Sequence, residues 1–179
     1  MKIVILIILI FLSFSITNVY AQKSISISDT SKIFLENGEL YLLNGDKIIK
    51  LTNTNNKVQN FDVSPNRNII AFEKELYKVE KGAELEVDGK IPLVSISSIV
   101  FFDIELKRTI KEIHPNLDKF LEMGEWLSNN YFGFLSAGFY DVSGVYIYDI
   151  ITDSIIDTHY DFDKWNEYRN TNSSEPLKK

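Results

Sequence analysis

Residues 157–163, DTHYDFD, alternate acidic and imidazole side chains with Thr, Tyr and Phe. On a strand, Asp157, His159, Asp161 and Asp163 would share one face, and such oxygen and nitrogen donors are the kind that bind divalent cations. The spacing argues against one ion. At about 3.3 Å per residue, the four donors spread over roughly 20 Å. The stretch is therefore expected as a last strand with a solvated acidic face and a packed aromatic face, and no metal is assigned. His114, in EIHPNL, precedes Pro115 and reads as a loop residue. Gly-x-Ser-x-Gly elbows, zinc-protease helices and glycine-rich phosphate loops are absent from the sequence. Glu122, Glu125 and Asp141 could supply a glycosidase-like pair only if two carboxyls lay about 5–10 Å apart in a cleft. No catalytic residue and no cofactor are assigned, and a non-enzyme is expected. What remains is aromatic. SAGFYDVSG (136–144) sets Phe139 and Tyr140 among small and turn-forming residues, a composition suited to a contact surface. Trp126, Tyr131 and Phe134 join them as candidate partner-binding residues.

The elements that would position these side chains read as strands. GELYLLNGDKIIKLT (38–52) holds two apolar runs joined at Asn44-Gly45, residues that accept the positive φ of a tight hairpin turn. VQNFDVSPNRNIIAFE (58–73) turns at 64–67, and VSISSIVFFDI with KRTIKEI makes a third hairpin. EWLSNNYFGFLS turns at Asn129-Asn130, and GVYIYDI with DSIIDTHYDF makes the fifth. Thr, Ile, Val, Phe and Tyr dominate these segments, which is β chemistry. Helix is expected for a turn or two at most, in 116–127, where Gly124 interrupts it. The class is all-β.

Two phrases recur. VFFDIELKRTI (100–110) aligns with YIYDIITDSII (146–156), and upstream IIAF (69–72) aligns with YFGF (131–134). The first copy is longer by a polar stretch, 76–91, expected as a loop insertion. Asp103 and Asp149 fall at equivalent places, which suits turn residues capping backbone amides better than an acid/base pair. Each copy then has four strands, giving units at 58–113 and 122–160, with half a unit at 31–52 and a flexible tail at 166–179. Four-stranded units in series are the sequence signature of propeller blades.

On these residues the chain resembles the WD-repeat-like β-propellers of bacterial periplasmic proteins, the Tol-system type included. SPNRNIIAF (64–72) is similar to their Ser-Pro-Asp-Gly-x-x-Ile-Ala-Phe phrase, and VYIYDIITDSII (145–156) to the hairpin of their third and fourth strands. Asn66-Arg67 replaces Asp-Gly, which places Arg67 where positive φ is needed, at a cost of about 1 kcal/mol. The resemblance implies a binding platform rather than an activity. It also implies an open assembly, because propellers use about 4–8 blades and two and a half are legible here. A compact sandwich of two sheets is the alternative.

Compartment and charge narrow the partners. Met1-Lys2, the apolar run 3–12 and the small residues Val19 and Ala21 form a secretory signal peptide, with cleavage expected before Gln22 and no membrane span thereafter. The sequence has no cysteine, so neither disulfides nor lipid attachment through cysteine is available. Removing 1–21 takes away only Lys2 and moves the formal net charge from −6 to −7. An acidic surface disfavours nucleic acid. The leading expectation is an exported, non-enzymatic β-sheet protein that binds another protein, a cell-envelope component or itself. A periplasmic inhibitor of immunity type and a small carboxylate hydrolase are the alternatives.

Overall fold

Alternating apolar residues between turn-forming ones make each strand cover one neighbour with one face and another with the opposite face. The computed structural model describes residues 23–80, 93–115, 120–137, 142–159 and 161–169. Among these residues the fold is all-β apart from one short helix, α1 (Asp163–Tyr168), and the strands form three antiparallel four-stranded sheets. The first sheet contains β1 (Ser24–Ser26), β2 (Ser31–Glu36), β3 (Glu39–Asn44) and β4 (Lys47–Lys50). The second contains β5 (Val58–Val63), β6 (Ile69–Glu80), β7 (Leu93–Asp103) and β8 (Arg108–Ile113). The third contains β9 (Phe120–Trp126), β10 (Tyr131–Ala137), β11 (Val142–Asp149) and β12 (Ser154–Asp157). Within each sheet the strands pair in chain order.

The sheets stack face to face. Ile33, Leu40 and Leu42 of the first sheet pack against Phe61, Ile70, Phe72, Val100 and Phe102 of the second. The opposite face of the second sheet, carrying Ala71, Ile99, Phe101 and Ile113, packs against Leu121, Phe132, Phe134 and Tyr148 of the third. Burial on both sides explains the unbroken apolar run IVFF in β7: Ile99 and Phe101 face one neighbour, Val100 and Phe102 the other. Phe101 sits centrally, with its ring centroid 5.4 Å from that of Phe132 and 4.6 Å from that of Tyr148. The far face of the third sheet, with Tyr131, Val145 and Ile147, is covered by Trp165 of α1.

The repeat is threefold. Cross-strand pairs Lys32/Leu43, Ile70/Phe102 and Phe132/Tyr148 occupy the same register next to the equivalent hairpin ends Asn44, Asp103 and Asp149. Two residues further on, Phe34/Tyr41, Phe72/Val100 and Phe134/Tyr146 correspond in the same way. Asp103 and Asp149 do cap backbone amides: Asp103 Oδ1 accepts from Leu106 N at 2.8 Å, and Asp149 Oδ1 from Ile151 N at 2.9 Å. The expected positive φ at Arg67 is 62°, and Lys107 and Asp153 match each other at 50°.

Five expectations are corrected. The region 31–52 is a complete sheet rather than half a unit, because Asn37-Gly38, both at positive φ, closes a two-residue hairpin between β2 and β3 and the brief β1 completes the set. The next turn lies at Gly45-Asp46, with Asn44 still paired to Lys47 in the ladder. Residues 76–80 extend β6, which pairs as far as Glu80 with Leu93; the rest of the expected insertion lies outside the described residues. The stretch expected to hold a turn of helix is strand from Phe120, its ladder shifted between Gly133 and Phe134 where β9 passes Gly124. Finally, 157–163 is not a strand. β12 ends at Asp157, His159 takes φ 53°, and α1 runs into the supposed tail at 166–168.

Candidate binding face

Each sheet has one face turned toward the preceding sheet and one toward the following layer. In the first sheet the forward face is buried by the second sheet, which leaves its outer face without a sheet upon it among the described residues. Pairing places the outer side chains in three rows. Ser24, Phe34, Tyr41 and Lys50 form one, Ser26, Lys32, Leu43 and Ile48 another, and Glu36 and Glu39 the third, beside the β2–β3 turn. Phe34 and Tyr41 stack with ring centroids 5.5 Å apart. Ser24, Lys32, Phe34, Leu43 and Ile48 line a groove of about 350 Å³, and Ile48 is 65% exposed. Lys50 approaches the buried Glu39 carboxylate at 3.6 Å, whereas Lys32 lies exposed within the apolar rows. This face can hold an apolar surface and a single anionic group.

The residues singled out in the sequence lie elsewhere. Tyr131 and Phe134 are buried by their own chain, Tyr131 beside Tyr168 and Trp165, Phe134 against Tyr146 between the second and third sheets. Trp126 packs at that same inter-sheet layer against Phe101 and Phe132. Phe139 and Tyr140 lie outside the described residues, as does Asp141. Glu122 is exposed on β9, while Glu125 is engaged by the Arg169 guanidinium. His114 and His159 are exposed, 3.9 Å from Glu112 and 3.7 Å from Asp157. Among the described residues no group of three or more His, Cys, Asp and Glu could hold a metal ion, and no helix is long and apolar enough to cross a membrane.

Sequence reading missed the groups that join the sheets. Glu39 is 1% exposed. Its carboxylate accepts from Thr52 Oγ1 at 2.6 Å, Thr54 N at 2.8 Å and Asn56 N at 3.0 Å, and so fastens the loop 51–57 that leads to the second sheet. Burial opposes its charge, yet these donors and Lys50 together hold its pKa below the ordinary carboxylate value. Gly38 is required there, since a Cβ would come 2.2 Å from Asn56 O. Glu73 is the counterpart between the second and third sheets, accepting from Met123 N at 2.8 Å. Desolvation raises its pKa, reinforced by Glu122 and opposed by the Met123 amide and Lys23. Within the second sheet, Glu112 accepts from Ser98 Oγ at 2.6 Å and Lys74 Nζ at 2.8 Å. Lys111 and Tyr148 meet on Asp153, with Tyr148 Oη donating at 2.9 Å, and burial together with that acceptor raises the phenol pKa. The charged ENGE followed by TNTNN was the available signal for Glu39: a carboxylate at a turn beside a run of small donors.

A second concavity, of about 240 Å³, lies between the second and third sheets, lined by Ile113, His114, Leu121, Phe134, Ser136, Tyr146 and Ile155. Its walls are largely apolar.

No protein-family model matches the chain, and no curated protein matches it in sequence.

Proposed function

We propose that this protein is exported and acts as a non-enzymatic binding protein, engaging another protein or a cell-envelope component through the outer face of its first sheet. The observation that carries the reading is the unequal treatment of the two ends of the stack. Trp165 caps one end, whereas at the other the described residues leave Ile48 exposed and Phe34, Tyr41 and Leu43 half-exposed. Exposed apolar patches of this kind on soluble proteins mark interaction sites. The leader-like residues 1–21 and the similarity of 64–72 and 145–156 to periplasmic propeller phrases support export and a binding role.

Two measurements test the two halves. Intact mass of periplasmic or secreted material is expected to begin at Gln22; a start at Met1 would remove the compartment. Tagged protein should co-purify a partner from envelope extracts, and Ile48→Asp should lose it while keeping the thermal midpoint of the parent. Equal recovery by the variant would rule out this face.

A further inference from the structure

The register of the three sheets carries a statement about what covers the first. The position of Lys32 is filled by Ile70 in the second sheet and Phe132 in the third, both 0% exposed, and the position of Phe34 by Phe72 and Phe134, both 2% exposed. In both later sheets these positions belong to the backward face, and that face always rests on a preceding sheet. What it rests on is aliphatic in character: Ile33, Leu40 and Leu42 in one case, Ala71, Ile99 and Ile113 with Phe101 in the other. The outer face of the first sheet is therefore built in the pattern of a docking face.

We propose that this face seats a β-sheet of a different protein, which presents an aliphatic row to Phe34, Tyr41, Leu43 and Ile48 and a carboxylate to Lys32. This rests on the binding reading above and specifies the partner. Charge and the kind of face presented together decide the occupant. Covering Lys32 removes its ammonium from water, which requires an opposing anion. A second copy docked by the same face would set one backward face against another, unlike either inter-sheet layer, in which a backward face rests on an aliphatic forward one. A second copy docked by the back of its third sheet is blocked, because α1 already covers Tyr131, Val145 and Ile147. A foreign sheet with an acidic residue among aliphatic ones satisfies both constraints.

A photo-crosslinking benzoylphenylalanine in place of Ile48, in the cells that make the protein, is the probe. Mass spectrometry of the adduct is expected to map to a partner strand carrying Ile, Val or Leu with an Asp or Glu nearby. Lys32→Glu should lower the adduct yield at least about tenfold, as expected when one member of a desolvated charge pair is reversed. Replacing the partner carboxylate by Lys should restore it. Lys32→Gln, with an unchanged thermal midpoint, guards against a folding effect. An adduct that survives Lys32→Glu overturns the acidic partner but leaves the binding face standing. An adduct with lipid or with this same chain overturns the foreign sheet, and the absence of any adduct removes both the inference and the face.

Discussion

Glu39 and Glu73 are chemically identical side chains that the fold uses in opposite senses. Glu39 is stabilised as a carboxylate by amide and hydroxyl donors of the 51–57 loop, so its pKa lies below the unfolded value. It contributes stability that is present above an unfolded pKa of about 4.3 and is lost as pH falls through the lower folded value. Glu39→Gln should therefore destabilise the protein at pH 7, by about 1–3 kcal/mol for each buried donor left poorly met, and should flatten the acid limb of the stability curve. Glu73 has a raised pKa, so the folded state holds its proton more tightly and stability declines as pH climbs from the unfolded value through the folded one. Glu73→Gln should leave the midpoint at pH 7 unchanged or higher, with the Met123 amide still accepted by the side-chain carbonyl. Thermal scans of both variants between pH 4 and pH 8 separate the two; a parallel response would mean that the inter-sheet carboxylates are equivalent after all. These roles were not legible in the sequence. A carboxylate at a strand end looks solvated until the donors that converge on it from a distant loop are known.

At the scale of elements, the hairpins β5–β6, β7–β8, β9–β10 and β11–β12 were legible because β-branched and aromatic runs met at turn residues. The first sheet was underestimated because β1 contributes three residues, of which only Ile25 faces the core. The C-terminal helix was hidden by a false strand. Asp157 and Asp161 accept from the backbone amides of His159 and Asp163 at 2.7 and 2.9 Å, local bonds that divert the chain from the ladder their alternation suggests. The slot that receives α1 was written in two glycines instead. A Cβ at Gly133 would lie 2.7 Å from the Trp165 ring, and one at Gly124 equally close to it. Gly133→Val is expected to expel the indole, and Trp165→Ala to cost about 3–5 kcal/mol, the usual range for emptying a buried aromatic site. Increased binding of an apolar-surface dye by both variants, with retained far-ultraviolet β signal, is the check. Unchanged dye binding would mean that the third sheet does not need its cap.

At the scale of the molecule, the stack is held by layers of unequal strength, and this sets the order in which it should come apart. The second sheet is buried on both faces, with Val100 at 2% exposure against the first sheet and Phe101 at 0% against the third. In contrast α1 has six residues, no side-chain N-cap bond, and rests on Trp165, Tyr168 and the exposed Arg169–Glu125 pair. A helix that short has no stability of its own in water. Its release frees Trp165 and uncovers Tyr131, Val145 and Ile147, a cost on the order of emptying a buried aromatic site, about 3–5 kcal/mol, against about 5–15 kcal/mol for unfolding a whole domain. The cap should therefore open first, as a local event below the global transition. The chain's two tryptophans report on the two events separately, Trp165 in the cap and Trp126 between the second and third sheets. With Trp126→Phe and Trp165→Phe each leaving one reporter, urea titration should red-shift Trp165 emission at lower concentration than Trp126. Phe101→Ala should move the Trp126 transition down strongly, and the early Trp165 phase much less. Coincident transitions for the two reporters would show that the cap and the three sheets unfold as one cooperative unit, and that the covered end of the stack is as firm as its centre.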